Sequence, residues 1–212
     1  ALRGISKEYP WPGSRCGWIE IFNQDKFPVF KTYIKSLLNA KMLEVCSTAL
    51  PQYSIPRVIG DPRYIPHLEH RKKLFEGRAN EAYDIFSQVD GITVVRPQGA
   101  FYMSILFNEG LLNANQNLPL PSPEVEEYIV KKVHNVEVDK RFVYYLLGST
   151  GICVVPLTSF CCQRKGFRIT LLESDDEKRR WTWKTITDSI QKYLDSSRPV
   201  KTEAARELSC GR

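Results

Sequence analysis

The sequence predicts an α/β chain in which two long helices precede a compact α+β region, and three observations carry that expectation. Apolar residues recur every three or four positions through Phe30, Tyr33, Ile34, Leu37, Leu38 and Met42, and again from Leu68 to Val89. β-branched and aromatic runs at 92–95 and 100–107 flank a Pro/Gly-bearing connection, as in a hairpin. Two more strand-like runs, 151–160 and 166–172, lie between a short helical stretch and a final helix.

Taken in order, the chain opens on a turn rich in proline and glycine, Gly4 to Gly13, followed by a strand-like run from Gly17 to Phe22. After Asn23-Gln24-Asp25 the first helix is expected to run to about Val45, with its apolar stripe in the core. A proline-bearing segment from Leu50 to Pro66 separates it from the second helix, which Gly91 ends. Residues 108–121 read as a loop. Ser122-Pro123-Glu124 then opens a helix with a capping hydroxyl, a proline in the first turn and an acid at the positive end of the helix dipole. A short helix through Phe142, Val143, Leu146 and Leu147 is expected to stop on Gly148. The last helix starts at Asp175-Asp176-Glu177 and should bury Trp183, Ile186, Ile190, Tyr193 and Leu194. The strands near Ile92, Ala100, Ile152 and Phe167 are expected in one sheet, and 196–212 reads as a polar, frayed tail.

Bulk properties narrow the function. The 212 residues, 42% hydrophobic and 25% charged, suffice for a real core. A formal charge of +6 raises nucleic acid as a partner. The basic clusters Arg71-Lys72-Lys73 and Lys178-Arg179-Arg180, however, sit in acid-interleaved helical stretches without a nucleic-acid motif, so solvated helix faces are expected and no nucleic acid. No run is long enough for a membrane span, and the first residues lack the pattern of a secretory leader. Six cysteines, including adjacent Cys161 and Cys162, show no metal-ligand spacing and read as reduced thiols in a cytoplasmic protein, with no metal site.

Two places carry chemistry. Lys7 follows small residues and precedes the turn on Pro10, Pro12 and Gly13, with Arg15 eight residues on. An amine condenses with a carbonyl and a guanidinium fork suits a phosphate, so the pair could hold a phosphorylated aldehyde in one pocket. A solvated loop has the same spacing, and short motifs alone do not choose between the two. Arg168 alternates with Phe167 and Ile169 along a strand and so faces away from the flank that buries Phe167. Such an arginine is often simply exposed.

Gly4-x-Ser6-Lys7 followed by Gly13-x-Arg15-x-Gly17-Trp18 resembles the cofactor-lysine signature of the class I/II aminotransferases, fold-type-I pyridoxal phosphate enzymes. Pro97-x-Gly99-Ala100 before aromatics, and Phe167-Arg168-Ile169, resemble that family's small-domain hairpin and substrate strand. Pro10, Trp11, Cys16 and Leu157 depart from its common pattern. The resemblance covers Gly4 to about Leu194 and implies the C-terminal half of a pyridoxal phosphate-dependent transferase fold: residues 1–66 as the edge of the large domain with the connecting helix, and 67–195 as the α+β small domain.

The same resemblance implies a homodimeric aminotransferase acting on an amino acid and a 2-oxo acid. Lys7 would be the catalytic, cofactor-linked lysine, Arg15 and Ser6 would hold the cofactor phosphate, and Arg168 would hold the substrate carboxylate. A decarboxylase or C–S lyase using the same cofactor, or a non-catalytic binding module, remain alternatives. The family's groups for the cofactor ring lie upstream of its lysine and have no counterpart here, so the isolated chain is expected to be inactive.

Overall fold

A single glycine lets the first strands meet. The structure, a computed structural model, describes residues 1–197. In it β1 (Leu2–Gly4) pairs antiparallel with β2 (Gly17–Ile19), in the register Leu2↔Ile19, Arg3↔Trp18 and Gly4↔Gly17. A Cβ on Gly17 would stand 2.8 Å from the Arg3 carbonyl oxygen, so that crossing requires glycine. The sequence did not suggest β1, and β2 is shorter than the expected 17–22 because its partner is only three residues long.

α1 (Ile5–Glu8) is a single turn, and α2 (Pro28–Lys41) starts on a proline whose missing N–H costs nothing at a helix start. α2 stops four residues before the expected Val45. Leu43 and Glu44 close tighter turns onto the Ala40 and Lys41 carbonyls, and the Lys41–Glu44 ion pair and a Ser47–Glu44 hydrogen bond cover the end. Its apolar stripe is not core. Ile34 is buried, whereas Phe30, Tyr33, Leu38 and Met42 are exposed, because nothing among the described residues covers that face.

The segment expected only to separate helices is itself helical. α3 (Ala49–Ile59) takes Pro51 in its first turn, where no N–H bond is lost, and tolerates Pro56 inside. α4 (Tyr64–Phe86) follows, burying Ala79, Ala82 and Phe86. It closes through Ser87 and Val89 onto the Tyr83 and Phe86 carbonyls before Gly91 turns with φ +85°. By compactness the chain divides into two units within this helix, Ala1–His70 and the residues from Arg71 on.

The second unit is built on a four-stranded antiparallel sheet in the order β3-β4-β6-β5. β3 (Ile92–Val94) and β4 (Tyr102–Phe107) form the expected hairpin, and β6 (Gly166–Thr170) pairs with β4 in the register Ile105↔Phe167 and Met103↔Ile169. Strict alternation sends Met103, Ile105, Phe107, Phe167 and Ile169 to the buried face. β5 is only Val155–Pro156, on the far side of β6. Residues 152–154, expected as strand, leave Gly151 without a partner to pair with.

Three further helices join the α4 residues Ala79, Ala82 and Phe86 in the core on the buried face. α5 (Pro123–Val133) is capped by Ser122, whose Oγ accepts from the Val125 N–H, and α7 (Asp176–Asp195) by Asp175, which accepts from Lys178. α6 (Val138–Thr150) passes through Gly148 and ends on Gly151 at φ +75°. Gly148 is there for packing: a Cβ would meet Ile129 Cγ1 and Leu120 Cδ2 at 3.0 Å. Phe142 at the centre lies 5.1–5.4 Å, ring to ring, from Phe107, Tyr193 and Phe167. All five residues expected to be buried on the last helix are buried. The tail expected from 196 lies, beyond Ser197, outside the described residues.

Candidate active site

The β1–β2 ribbon ties off a loop of twelve residues, 5 to 16, and this loop carries Ser6, Lys7 and Arg15. Ile5, fully buried, anchors it: its N–H donates to the Cys16 carbonyl, and its own carbonyl accepts from Tyr9 and Trp11. Opposite, the buried Ser14 donates its hydroxyl to the Trp11 carbonyl at 2.8 Å. Tyr9 stacks on Tyr64 at 5.6 Å between centroids, and burial, with the Tyr64 hydroxyl second, pushes its phenol up to about 12. The turn is therefore pinned at both ends and on one side.

Lys7 lies on the exposed side of α1, and Ser6 beside it is half-buried. Arg15 occupies the left-handed region at φ 52°, which a non-glycine residue adopts at some cost, and its Nη1 donates to the Pro12 carbonyl at 2.9 Å. The amine and the guanidinium expected in one pocket lie in the same ribbon-closed loop, and both are exposed. Two cavities, of about 310 Å³ beside Ser149, Thr185 and Lys192 and about 460 Å³ beside Asn108, Val138 and Arg164, lie elsewhere in the second unit. The second is lined by Arg164 and Lys165, but neither lining includes Lys7, Arg15 or Arg168, so the donor chemistry of the loop and not cavity volume chooses the site. An amine, a hydroxyl and an orientation-fixed guanidinium in one short loop form a donor set that fits a phosphorylated aldehyde.

In the second unit Arg168 stands where the alternation of β6 predicts, opposite Ser104 on the outer face of the sheet, away from the flank of Phe167. Its guanidinium carbon lies 4.2 Å from the ring centroid of Tyr102 and 4.2 Å from that of Phe160. Among the described residues no carboxylate pairs with it. Such a guanidinium, half-buried and flanked by rings, is suited to a planar anion.

Phe160 ends a short 3-10 turn, Leu157–Phe160, which a buried carboxylate holds in place. Asp139, fully buried at the start of α6, accepts from the Thr158 hydroxyl at 2.7 Å and the Thr158 N–H at 3.0 Å. Sequence reasoning missed Asp139 and Phe160 as parts of this arrangement. The only available signal was Thr158 beside the turn, since partners nineteen residues apart leave no periodic trace.

The basic run of α7 is taken up internally. Arg179 and Arg180 pair with Glu81 at 3.0 and 2.5 Å, Arg179 also with Asp176 at 2.6 Å, and Lys178 with Glu173 at 2.9 Å.

Comparison with known proteins gives a consistent picture. The family described as aminotransferase class I and II matches residues 1–180. Over 194 residues the chain is 51% identical to a protein of Methanocaldococcus jannaschii described as an uncharacterized aminotransferase, covering 92% of this chain and 45% of that one. Over 103 residues it is 37% identical to the glutamate-pyruvate aminotransferase AlaA of Haemophilus influenzae, covering 48% of this chain and 25% of that protein. Among solved structures, the aspartate aminotransferase from Rhizobium meliloti superposes with a TM-score of 0.66 at 20% identity, over 91% of this chain and 42% of its own, a likeness of fold. The chain spans less than half the length of each of these relatives.

Proposed function

Because this chain belongs to the aminotransferase class I and II family, we propose that the protein it forms part of moves an amino group from an amino acid to a 2-oxo acid with pyridoxal phosphate as cofactor. The observation that carries this reading is the ribbon-closed loop holding Ser6, Lys7 and Arg15. The order of motifs along the chain supports placing it as the C-terminal half of that enzyme, with 1–66 at the rim of the large domain and 67–195 as the small domain.

Pyridoxal phosphate, when bound, supplies an electron sink for charge that develops at the substrate Cα. The Arg15 guanidinium and Ser6 hydroxyl hold its phosphate, a doubly charged group matched by a fork and a donor. Lys7 Nζ would hold the cofactor's aldehyde end and would serve as the base for the proton at the substrate Cα. Arg168 would grip the α-carboxylate through two parallel hydrogen bonds, which fixes the orientation of that end of the substrate. The five described cysteines are unpaired thiols, three of them exposed, which supports a reduced, cytoplasmic setting. The internally paired α7 charges support the absence of a nucleic-acid partner, no described helix is long and apolar enough to cross a membrane, and a homodimer is the assembly we assign to the intact enzyme.

The test is Lys7→Ala in the intact protein, assayed with cofactor, an amino acid and 2-oxoglutarate. Loss of the base and of the covalent attachment should reduce turnover by roughly 10²–10⁴-fold or more. Undiminished turnover would remove Lys7 from the mechanism.

A further inference from the structure

Phe160 is 47% exposed, too open to serve the core, yet its ring lies 4.2 Å from the Arg168 guanidinium carbon, and Tyr102 supplies a second ring at the same distance. A guanidinium carries its N–H donors in its own plane and offers its π faces to aromatic rings, so stacking consumes no donor. What stacking does fix is the plane. The register explains why these residues meet: Arg168 faces Ser104 across β4, and Tyr102, two residues away on that strand, stands on the same outer face, within reach of a long side chain. Phe160 arrives from the 3-10 turn that Asp139 holds through Thr158.

We propose that Tyr102 and Phe160 are positioning residues that set the plane of the Arg168 guanidinium and thereby the orientation in which the α-carboxylate of both substrates is bound. The inference rests on the reading of Arg168 as the carboxylate partner. It goes beyond that reading by assigning substrate selection to two rings that need not touch the substrate. A ligand bearing a planar carboxylate meets both in-plane bonds; a ligand whose carboxylate is replaced by a carboxamide loses one acceptor and gains nothing from the fixed plane. Selection of carboxylate over carboxamide is therefore the property the rings maintain.

In the intact protein, Phe160→Leu and Tyr102→Leu should each raise KM for the amino acid and for the 2-oxo acid in parallel, by roughly two- to thirtyfold. Each should also narrow the preference for an amino acid over its carboxamide. Phe160→Tyr, which keeps a ring, should restore most of the loss seen with leucine. On an Arg168→Met background, Phe160→Leu should add nothing further, since the group it orients is gone. If Arg168→Met raises KM while both leucine variants leave KM and the preference unchanged, the positioning role is overturned and the carboxylate reading stands. If Arg168→Met itself leaves KM unchanged, the carboxylate reading falls with it. Equal losses toward amino acid and carboxamide would show that the rings act only on folding and would also overturn the proposal.

Discussion

At Gly166 the sheet leaves no room for a side chain: a Cβ would lie 2.2 Å from the Ile105 carbonyl oxygen and 3.0 Å from Leu106 Cα. Both neighbours are backbone of the paired strand, so the strands themselves must part. Gly166→Ala should destabilise the second unit by about 1–3 kcal/mol, lowering the midpoint of thermal unfolding by roughly 2–4 °C per kcal/mol. Gly99→Ala, with open space around it, is the control and should leave the midpoint nearly unchanged. An unaltered midpoint for Gly166→Ala would mean that β4 and β6 are not paired as described. The placement of single residues was legible in the sequence where it is local. Lys7, Ser6 and Arg15 share one short loop, and the alternation of β6 was enough to aim Arg168 outward. Phe160 was not legible, because its contact depends on how a turn folds back across the strand. Gly148 was misread as a stop for the same reason, since only the packing of α5 on α6 shows why it must be small.

Between elements, α4 and α7 are joined by charge. Glu81 on α4 accepts from Arg179 and Arg180 on α7, and Arg179 is nearly buried. Burial pushes the Glu81 carboxyl up, but the hydrogen bonds from Arg180 and Arg179 more than offset it and hold it below its ordinary value of 4.5. Asp176, bonded to Arg179, is lowered as well. A carboxylate whose pKa is lowered by folding stabilises the native state above its unfolded value and loses that contribution as pH falls, because the unfolded chain takes up protons first. Stability should therefore decline as pH drops below about 4.5. Glu81→Ala should cost about 1–3 kcal/mol near neutral pH through loss of charged hydrogen bonds. The same variant should show a shallower acid decline, measured by denaturant unfolding across pH. Equal slopes for the two proteins would exclude Glu81 from the acid sensitivity. Elements with local signals, the Ser122 cap, the start of the last helix at Asp175 and the Pro97–Ala100 hairpin, were readable in advance. α3 was not: its prolines argued for a loop, and a proline inside a helix is tolerated only where surrounding structure sustains the remaining bonds.

Across the whole chain the two units differ in what holds them. The second has a continuous aromatic and aliphatic core around Phe142. In the first, Ile5, Ile34 and Pro51 are the buried apolar residues, while Val29, Met42 and Val45 are 83%, 81% and 94% exposed. The α2 stripe was legible as an amphipathic face. Its burial was not, because periodicity shows that a face is apolar and says nothing of what covers it. Ordering a segment costs conformational entropy that burial must offset, and so few buried side chains offset little of it. Amides of β4, β6 and α7 should therefore exchange with solvent through global unfolding, whereas those of α2 and α3 exchange through local opening at far lower free energy. Lys7 and Arg15 belong to that weakly held unit. The roles proposed for them, base and phosphate clamp, require a geometry fixed before the substrate arrives. The chain by itself is therefore expected to give no measurable transamination when mixed with cofactor, an amino acid and 2-oxoglutarate, and Lys7→Ala should change nothing in that assay. Turnover by the isolated chain that disappears in Lys7→Ala, together with strong protection of the α2 amides, would show that the first unit is held firmly enough to work alone.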